Sequence, residues 1–373
     1  MKILFFYLKK ILKLKFQFKL PKKNRVVLYD EEGDHIMSLF LNKKDYHSMN
    51  TRLEKINISV LIISLFKNFF RNIKLNYILD YISWVNPELV ICTVDNDVRF
   101  YNLKNKFNKA KFISIQLSTR DEDFYNNLKK YHKKNNFYLS VDDFFVISQN
   151  EKQRLSQYIK SNFHIIGTLK NNLYSQVKKF NPNETFKKIV FITPKFPTDE
   201  NILKKEKLIF EELYKICSEK KWALSLCTKN SSKSIYSNEK NYRKNLVAGD
   251  WTFLINDNQK VSYKAINEND IIVYTDSTLG LEALIKKKRC IALPPFNFPF
   301  PKFNIKYNNE GPFWSCDVNE KNIRKLLEKV QKYNEKEWSE IVDQYIGKIF
   351  SYDPQNKTYL AFLDKFGLKT KSN

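Results

Sequence analysis

Short continuous runs of apolar residues alternate along the chain with longer stretches whose apolar residues recur every three or four positions. Continuous runs of four to eight residues predict buried strands, and the three-to-four spacing predicts helices. The predicted strands are 26–29, 89–94, 112–116, 144–148, 163–166, 189–193, 222–227, 253–255, 271–274 and 290–293. Helical spacing is found over 66–82, from Ile209 to Ile216, and from Ile323 to Val330. Strands that alternate with helices predict an α/β fold with parallel sheets covered on both faces.

A polar stretch over 168–187 interrupts this alternation, and we place a domain boundary there. The predicted organisation is two Rossmann-like domains whose parallel sheets face an interdomain cleft. In such domains ligands bind beyond the carboxyl ends of the strands. The predicted segments are a basic segment over 1–25, an N-terminal domain over 26–170, a C-terminal domain over 185–345, and a C-terminal helix or tail over 346–373.

The composition agrees with a folded protein of two domains. The chain has 373 residues, of which 43% are hydrophobic, and this excludes an intrinsically disordered protein. Its five cysteines are widely spaced and form no Cys-x-x-Cys pair, which favours buried, reduced thiols in a cytoplasmic protein. With four histidines and no ligand spacing, the sequence predicts no structural zinc site.

Positive charge is concentrated at the N-terminus. The net charge is +25, and residues 1–25 hold nine basic residues and no acid. The apolar run from Ile3 to Leu8 is far shorter than the roughly 20 residues that a membrane-spanning helix needs. We therefore predict an amphipathic segment that holds the protein on the inner face of the cytoplasmic membrane. A first helix packed on its own domain and a nucleic-acid-binding arm are the alternatives.

The segment after the strand 271–274 carries the clearest chemistry. Small hydroxyl residues follow the strand, and a helix is predicted to begin near Leu279. The first amides of a helix have no partner within it and attract anions. Glu282 is placed to accept hydrogen bonds from a ribose diol. The alternative is that Ser277 caps the helix and Glu282 compensates its dipole. The predicted nucleotide-binding residues here are Thr275, Asp276, Ser277, Thr278, Gly280 and Glu282.

This segment, with the basic loop and strand that follow it, resembles the donor-nucleotide segment of GT-B glycosyltransferases and of related sugar-nucleotide epimerases. More narrowly, the chain resembles the bacterial surface carbohydrate biosynthesis proteins. The stretches that carry this resemblance are Asp30 to Gly33, Val94 to Asn96 with Phe100-Tyr101, Ser114 to Gln116 with Arg120, Thr275 to Leu284, and Gly311 to Trp314 with Glu337-Trp338. The chain departs from the pattern Gln-Asn-Gly-x-Arg, since it has Gln116-Leu117-Ser118-Thr119-Arg120 there.

The resemblance places the Asp30–Gly33 loop beside the acceptor. A carboxylate there could deprotonate an acceptor hydroxyl, with Glu32 as the first candidate for the base and Glu31 as the second. Clustered acids raise one another's pKa, which suits a base. The alternative is a solvated acidic turn.

Polar residues also follow other predicted strands. Asp95-Asn96-Asp97 has the spacing of an Asp-x-Asp metal motif. Twin Rossmann-like domains argue against the glycosyltransferase fold that uses this motif, so we predict no metal and assign Asp95 and Asn96, with Gln116, to the acceptor side of the cleft. Thr193 and Lys195 are predicted to contact the donor phosphate, and Arg120 is a similar cation from the first domain. Solvated surface cations are the alternative for both basic residues.

Three further aromatic features are candidate ligand contacts. Trp314 and Trp338 could stack on a base or a sugar, or belong to the core. The loop 296–303 could line the donor pocket or touch the membrane.

The resemblance implies a metal-independent GT-B-type glycosyltransferase of surface polysaccharide biosynthesis. Such an enzyme takes a nucleotide-sugar donor and a glycan or lipid-linked acceptor, and it needs no cofactor. A sugar-nucleotide epimerase or hydrolase on the same fold is one alternative, and a non-enzymatic protein that binds nucleic acid or membrane is the other. We predict no nucleic-acid partner.

Overall fold

The computed structural model describes residues 15–52, 54–68, 71–135, 138–174, 186–193, 200–228, 242, 244–254, 259–275, 277–294 and 309–368. These residues divide into two compact units. The first is drawn from Met1–Leu117, Asp123–Lys170 and Asn356–Asn373, and the second from Ser118–Glu122 and Asn171–Gln355. Among the described residues, no helix is both long enough and apolar enough to cross a membrane.

The first unit is built on a six-stranded parallel sheet of order β3-β2-β5-β6-β7-β8, beside a parallel pair of β1 and β4. The strands are β1 (Lys15–Gln17), β2 (Val26–Leu28), β3 (Tyr46–Ser48), β4 (Lys55–Asn57), β5 (Leu89–Cys92), β6 (Lys111–Ile115), β7 (Leu139–Val146) and β8 (Ile159–Ile165). The helices are α1 (Asp34–Met37), α2 (Ile58–Asn68), α3 (Ile73–Val85), α4 (Val98–Leu103), α5 (Glu122–Asn135), α6 (Gln149–Leu155) and, from the end of the chain, α13 (Lys357–Asp364).

The second unit is built on a five-stranded parallel sheet of order β11-β10-β9-β12-β13. Its strands are β9 (Lys188–Thr193), β10 (Ala223–Thr228), β11 (Thr252–Leu254), β12 (Ile271–Tyr274) and β13 (Arg289–Ala292). Its helices are α7 (Leu169–Leu173), which begins at the boundary of the two units, α8 (Glu200–Lys220), α9 (Gln259–Glu268), α10 (Thr278–Ile285), α11 (Glu320–Lys332) and α12 (Glu335–Ile346).

Burial explains why the apolar runs predicted these strands. Every residue of β2, β5, β12 and β13 is buried. Parallel sheets covered on both faces require such continuous apolar strands. All ten predicted strands are present, and their ends differ from the prediction by no more than five residues, with Ile255 of the predicted strand 253–255 outside the described residues. The apolar faces predicted around Ile209 and Ile323 are buried in α8 and α11.

The helix predicted over 66–82 is wrong as a single element. Helix α2 ends at Asn68, and α3 begins at Ile73 after Asn72, whose φ of 46° lies in the left-handed region. A left-handed residue breaks the helical path, and Asn tolerates that conformation better than most residues. Tyr77 and Tyr81 are buried as the spacing predicts, whereas Phe66 is exposed.

Residues 1–14 of the basic segment lie outside the described residues, and the predicted membrane contact of 1–25 stays a prediction. Residues Lys15–Gln17 form the exposed strand β1, which pairs with Lys55–Asn57. The helix from the C-terminal segment packs within the first unit, where Tyr359 lies edge-on to Phe40 and Phe145. The centre of the Tyr359 ring lies 5.3 Å from the centre of the Phe40 ring and 5.2 Å from that of Phe145.

Candidate functional site

Threonine hydroxyls mark the carboxyl edge of the sheet in the second unit. Thr193 ends β9, Thr228 ends β10 as its register partner, and Thr275 follows β12. Strands β9 and β12 are neighbours, with Ile192 opposite Tyr274, so Thr193 and Thr275 leave the sheet side by side.

The hydroxyls of Thr193 and Thr275 are buried, and neither has a hydrogen-bond partner in the part of the chain that the structure describes. A buried polar group without a partner costs roughly 1–3 kcal/mol. Such a cost is expected where a ligand completes the site, and both residues were predicted to bind the donor.

The start of α10 lies at the same edge. Ser277 occupies the N-cap position in an extended conformation, but its side chain makes no capping hydrogen bond. The alternative role of Ser277 as a side-chain cap is therefore not what the geometry shows. The first amides of a helix have no partner four residues back, although here the Gly280 amide donates to the Ser277 carbonyl at 3.0 Å. Ser277, Thr278 and the amides before Gly280 make this edge a place where an anion could accept several hydrogen bonds.

Glu282 lies on α10, buried, and its carboxylate accepts a hydrogen bond from the Tyr263 hydroxyl at 2.8 Å. Tyr263 stacks on Tyr174, with ring centroids 4.5 Å apart. Lys286 donates to the Tyr174 carbonyl at 2.6 Å, and burial lowers the pKa of Lys286 to about 8. Burial, and then the charge of Glu282, raise the pKa of Tyr263 well above its usual value. Glu282 thus belongs to a buried cluster of acid, base and aromatic rings.

Gly280 has a packing reason for being glycine. A β-carbon at this position would overlap the ring of Tyr274, the last residue of β12. The missing side chain therefore lets α10 pack directly on the aromatic ring at the end of the strand.

The Asp30–Gly33 loop follows β2 in the first unit and forms a short 3-10 helix over Glu31–Gly33. Buried Asp30 begins it by accepting from the Glu32 amide at 2.9 Å, and Thr51 donates to the same carboxylate at 2.6 Å. A β-carbon on Gly33 would overlap the Thr93 hydroxyl, so this loop packs closely on the loop after β5.

Both predicted bases face cations. Arg52 pairs with Glu32, and Lys55 lies 2.7 Å from a carboxylate oxygen of Glu31, whose other oxygen accepts from Asn50 at 2.8 Å. The sequence predicted two acids that repel each other, and it did not predict these ion pairs. Arg52 and Lys55 come from the turn before β4 and from β4 itself, which are distant in sequence from the two glutamates. Glu32 is the more accessible of the two, with 55% of its side chain exposed against 32% for Glu31.

The three residues of the Asp95–Asp97 segment have different environments. Asp95 is fully buried, while Asn96 is exposed. Asp97 caps α4 by accepting from the Arg99 amide at 3.1 Å, and it also pairs with the Arg99 guanidinium. Within the described residues, no group of three or more potential metal-binding side chains comes together.

Gln116 directly follows β6 and contacts Glu151, a residue for which the sequence predicted no functional role. Its side-chain amide donates to Glu151 at 2.6 Å and accepts from the Ile147 amide at 3.1 Å. The Tyr125 hydroxyl donates to the same oxygen of Glu151. The guanidinium of Arg154 lies 3.4 Å from the centre of the Tyr125 ring.

Glu151 is 5% exposed, and burial raises the pKa of its carboxyl although the bonds from Tyr125 and Gln116 act in the opposite direction. Ser148 begins α6 and accepts from the Glu151 amide at 3.1 Å. The available signal was the Ser148-x-x-Glu151 spacing directly after a predicted strand, which marks a helix start.

Of the remaining predicted site residues, the structure describes Arg120, Trp314 and Trp338. Lys195, Asp276 and the loop 296–303 lie outside the described residues. Arg120 is half-buried, in the short segment assigned to the second unit. Trp314 and Trp338 are both buried, so each belongs to the core and neither is offered to a ligand.

Solved structures of similar fold align over most of the chain. A "putative UDP-N-acetylglucosamine 2-epimerase" from Listeria monocytogenes aligns over 93% of this chain and 97% of its own, with a TM-score of 0.53 and 12% identity. The S. aureus MnaA–UDP complex aligns over 93% and 97%, with a TM-score of 0.51 and 14% identity. The UDP-GlcNAc 2-epimerase of Neisseria meningitidis bound to UDP-GlcNAc aligns over 92% and 99%, with a TM-score of 0.51 and 12% identity. These likenesses, with the two parallel sheets, confirm the predicted α/β, Rossmann-like fold of GT-B type.

Sequence comparison identifies the family. No curated protein matches the chain in sequence. A family model described as "putative O-antigen biosynthesis protein" matches residues 111–367, which is more than half of the chain and reaches from β6 to the C-terminal helix. This match agrees with the resemblance to surface carbohydrate biosynthesis proteins, and the chain belongs to this O-antigen biosynthesis family.

Proposed function

We propose that the protein is a glycosyltransferase of surface polysaccharide biosynthesis that transfers a sugar from a nucleotide donor to a glycan or lipid-linked acceptor. The observation that carries this proposal is the edge of the second sheet, where two buried threonine hydroxyls lack partners among the described residues beside the uncapped start of α10. Family membership supports the biological process, and the unsatisfied hydroxyls at this edge support the proposal that the donor binds there.

The donor diphosphate would accept hydrogen bonds from Thr193, Thr275, Ser277, Thr278 and the first amides of α10. Negative charge grows on the diphosphate as its bond to the sugar breaks. Donors that already point at that charge stabilise the transition state. Because helix amides and hydroxyls supply this stabilisation, the proposal includes no metal and no cofactor. Glu282 would lie farther along the helix, toward the nucleoside.

The first unit would hold the acceptor. Glu32 would take the proton from an acceptor hydroxyl, whose oxygen then bonds to the anomeric carbon while the nucleoside diphosphate leaves. For Glu32 to act as the base, its ion pair with Arg52 would have to break, or a phosphate on the acceptor would have to take the place of Glu32 beside Arg52. Buried Gln116 and Asp95 would shape the acceptor side from beneath. The acceptor would be reached at the inner face of the cytoplasmic membrane, where the basic residues of 1–25 would hold the protein.

A thermal-shift panel with UDP, GDP, TDP, CDP, CMP and their sugars tests the donor site. UDP and UDP-GlcNAc come first, because two structures of similar fold are complexes with them. A ligand at one hundred times its dissociation constant adds about 2.7 kcal/mol to stability. We expect a shift of several degrees with one nucleotide family. No shift with any of them, in folded protein, would contradict a nucleotide-sugar enzyme and favour a non-enzymatic binding protein.

A sugar-nucleotide epimerase is the second candidate, because two of the three similar structures are named as UDP-GlcNAc 2-epimerases. Product analysis separates the two activities. An epimerase converts UDP-GlcNAc to its epimer without an acceptor. A transferase releases UDP in proportion to glycan formed and produces no epimer.

A further inference from the structure

Exposed apolar side chains of the first unit concentrate on two adjoining elements. Phe16 and Phe18 lie in and just after β1, and Phe18 is 71% exposed. Ile62, Ile63 and Phe66 lie on α2, and Phe66 is 81% exposed. Large aromatic side chains left this open to solvent are unfavourable unless something covers them in use.

Backbone pairing brings these elements together although they are more than forty residues apart in sequence. Strand β1 pairs with β4, which runs directly into α2. The Asn57 side chain donates to the Lys19 carbonyl at 2.7 Å, and the Ser59 hydroxyl donates to the Phe18 carbonyl. The helix therefore begins against the backbone that follows β1.

The exposed residues of α2 share the face on which this contact is made. Ser59, Ile62, Ile63 and Phe66 follow the spacing i, i+3, i+4, i+7, which places them on one side of a helix. Val60 and Ser64 are buried on the other side. The exposed apolar face of α2 thus starts beside Phe18. We name Phe16, Phe18, Ile62, Ile63 and Phe66 together the apolar surface.

The two segments that carry the apolar surface contribute basic residues and no acid, while the exposed Glu54 before β4 adjoins Lys15, whose amide donates to the Glu54 carbonyl at 2.9 Å. Residues 15–25 and 58–74 contain no acid, and their basic residues are Lys15, Lys19, Lys22, Lys23, Arg25, Lys67, Arg71 and Lys74. Lys67 pairs with Asp80 from α3, and Arg25 pairs with Glu88. Lys15 and Lys19 are exposed beside the two phenylalanines.

We propose that the apolar surface docks on an anionic lipid bilayer, with Phe18 and Phe66 entering the interface and the flanking lysines contacting lipid phosphates. Aromatic burial at a bilayer interface and lysine attraction to anionic headgroups act together, and neither alone gives stable binding. A second copy of the chain is a poor fit, because a symmetric contact would bring the same lysines against one another. The proposal does not depend on the donor site, and it extends the predicted membrane contact of residues 1–25 to a helix outside that segment.

Vesicle co-sedimentation of the full chain tests the surface. Vesicles of phosphatidylcholine with about one-third phosphatidylglycerol are compared with vesicles of phosphatidylcholine alone. We expect binding to the anionic vesicles only, weakened by 0.5 M salt. The double variant Phe18→Ser/Phe66→Ser should bind at least tenfold more weakly. Both side chains are exposed, so the variant should keep its melting temperature and its response to nucleotides.

The matched control is Ile165→Ser/Leu208→Ser, which removes two exposed apolar side chains from other elements, 36% and 39% exposed respectively. Equal loss of binding in both double variants would overturn the proposal, as would unchanged binding in Phe18→Ser/Phe66→Ser. A concentration-dependent dimer that this variant abolishes would assign the surface to a second copy instead.

A fluorescent label separates helix α2 from the N-terminal segment. All five native cysteines are buried, so a Phe66→Cys variant can be labelled selectively with an environment-sensitive dye. We expect a blue shift with anionic vesicles, and no shift for a label at Leu208→Cys. If the Phe66→Cys label does not respond while the protein sediments with the vesicles, binding resides in the N-terminal segment alone and the role of α2 is wrong.

Discussion

The carboxyl edges of the two sheets hold polar groups in opposite states. In the first unit, Glu31, Glu32 and Asp97 are each held by a basic side chain, and Glu151 accepts from both Gln116 and Tyr125. In the second unit, Thr193 and Thr275 are buried without partners among the described residues, and Ser277 does not cap its helix. A ligand at the first edge must replace contacts that already exist, whereas a ligand at the second edge adds contacts that are missing.

This difference gives the two edges different expected roles. Where buried hydroxyls lack partners, each hydrogen bond to a ligand adds binding free energy without breaking an existing bond. This suits a donor that binds and leaves in every catalytic cycle. A satisfied edge holds its carboxylates in fixed positions, which suits orientation of an acceptor and transfer of a proton. Substitutions at each edge can break or sharpen this contrast.

The largest effect is expected from Glu32→Gln at the first edge. A general base contributes roughly 10²–10⁴-fold to a rate, so transfer should slow by about that factor. The thermal shift with the donor nucleotide should remain, because Glu32 belongs to the other unit. Folding should be unaffected, since an exposed ion pair such as Glu32–Arg52 is worth at most about 1 kcal/mol. Steady-state transfer assays measure the change, with the exposed Glu54→Gln as control. Turnover close to wild type would remove Glu32 from the mechanism.

The next effect is expected from Thr193→Val/Thr275→Val at the second edge. Valine keeps the shape and removes two buried hydroxyls that lack described partners, so the ligand-free protein should be equally or more stable. Nucleotide affinity should fall at least tenfold, measured by thermal shift and calorimetry. Thr252→Val, at the start of β11 in the same sheet, is the matched control and should leave affinity unchanged. Lower stability with unchanged affinity would mean that the hydroxyls have a structural role.

The smallest effect concerns the pH dependence of stability at the first edge. Because burial raises the pKa of Glu151, the folded state favours the protonated carboxyl. The stability that this protonated carboxyl contributes is fully present below the pKa that Glu151 has in the unfolded chain. It is lost as the pH rises through the higher pKa of Glu151 in the folded state. Glu151→Gln keeps an oxygen for Tyr125 and Gln116 but carries no charge. The free energy of unfolding of the variant should equal that of the wild type at low pH and should be the larger of the two at pH values above the raised pKa of Glu151.

Urea unfolding between pH 4 and 8 measures that difference, and each unit of pKa shift corresponds to about 1.4 kcal/mol. The exposed Glu328→Gln is the control, and its difference from wild type should not vary with pH. A Glu151→Gln variant that loses stability equally at every pH would show that the charged carboxylate itself holds the cluster together.

The sequence alone determined the fold class and ten of the thirteen described strands, because strands buried on both faces of a parallel sheet must be continuously apolar. It missed β1, β3 and β4, which are three residues long and partly or fully exposed. It also determined that a helix follows Thr275, since hydroxyl residues at a strand end precede an apolar helical pattern. Only the tertiary structure decided that Arg52 and Lys55 face the two glutamates, that Glu151 meets Gln116 from another element, and that Phe66 is exposed. Periodicity shows which residues share a face, but the order of strands and the packing of helices decide which partner that face receives. Two buried hydroxyls without described partners, and an exposed aromatic helix face, are therefore set by the tertiary structure and not by the sequence pattern.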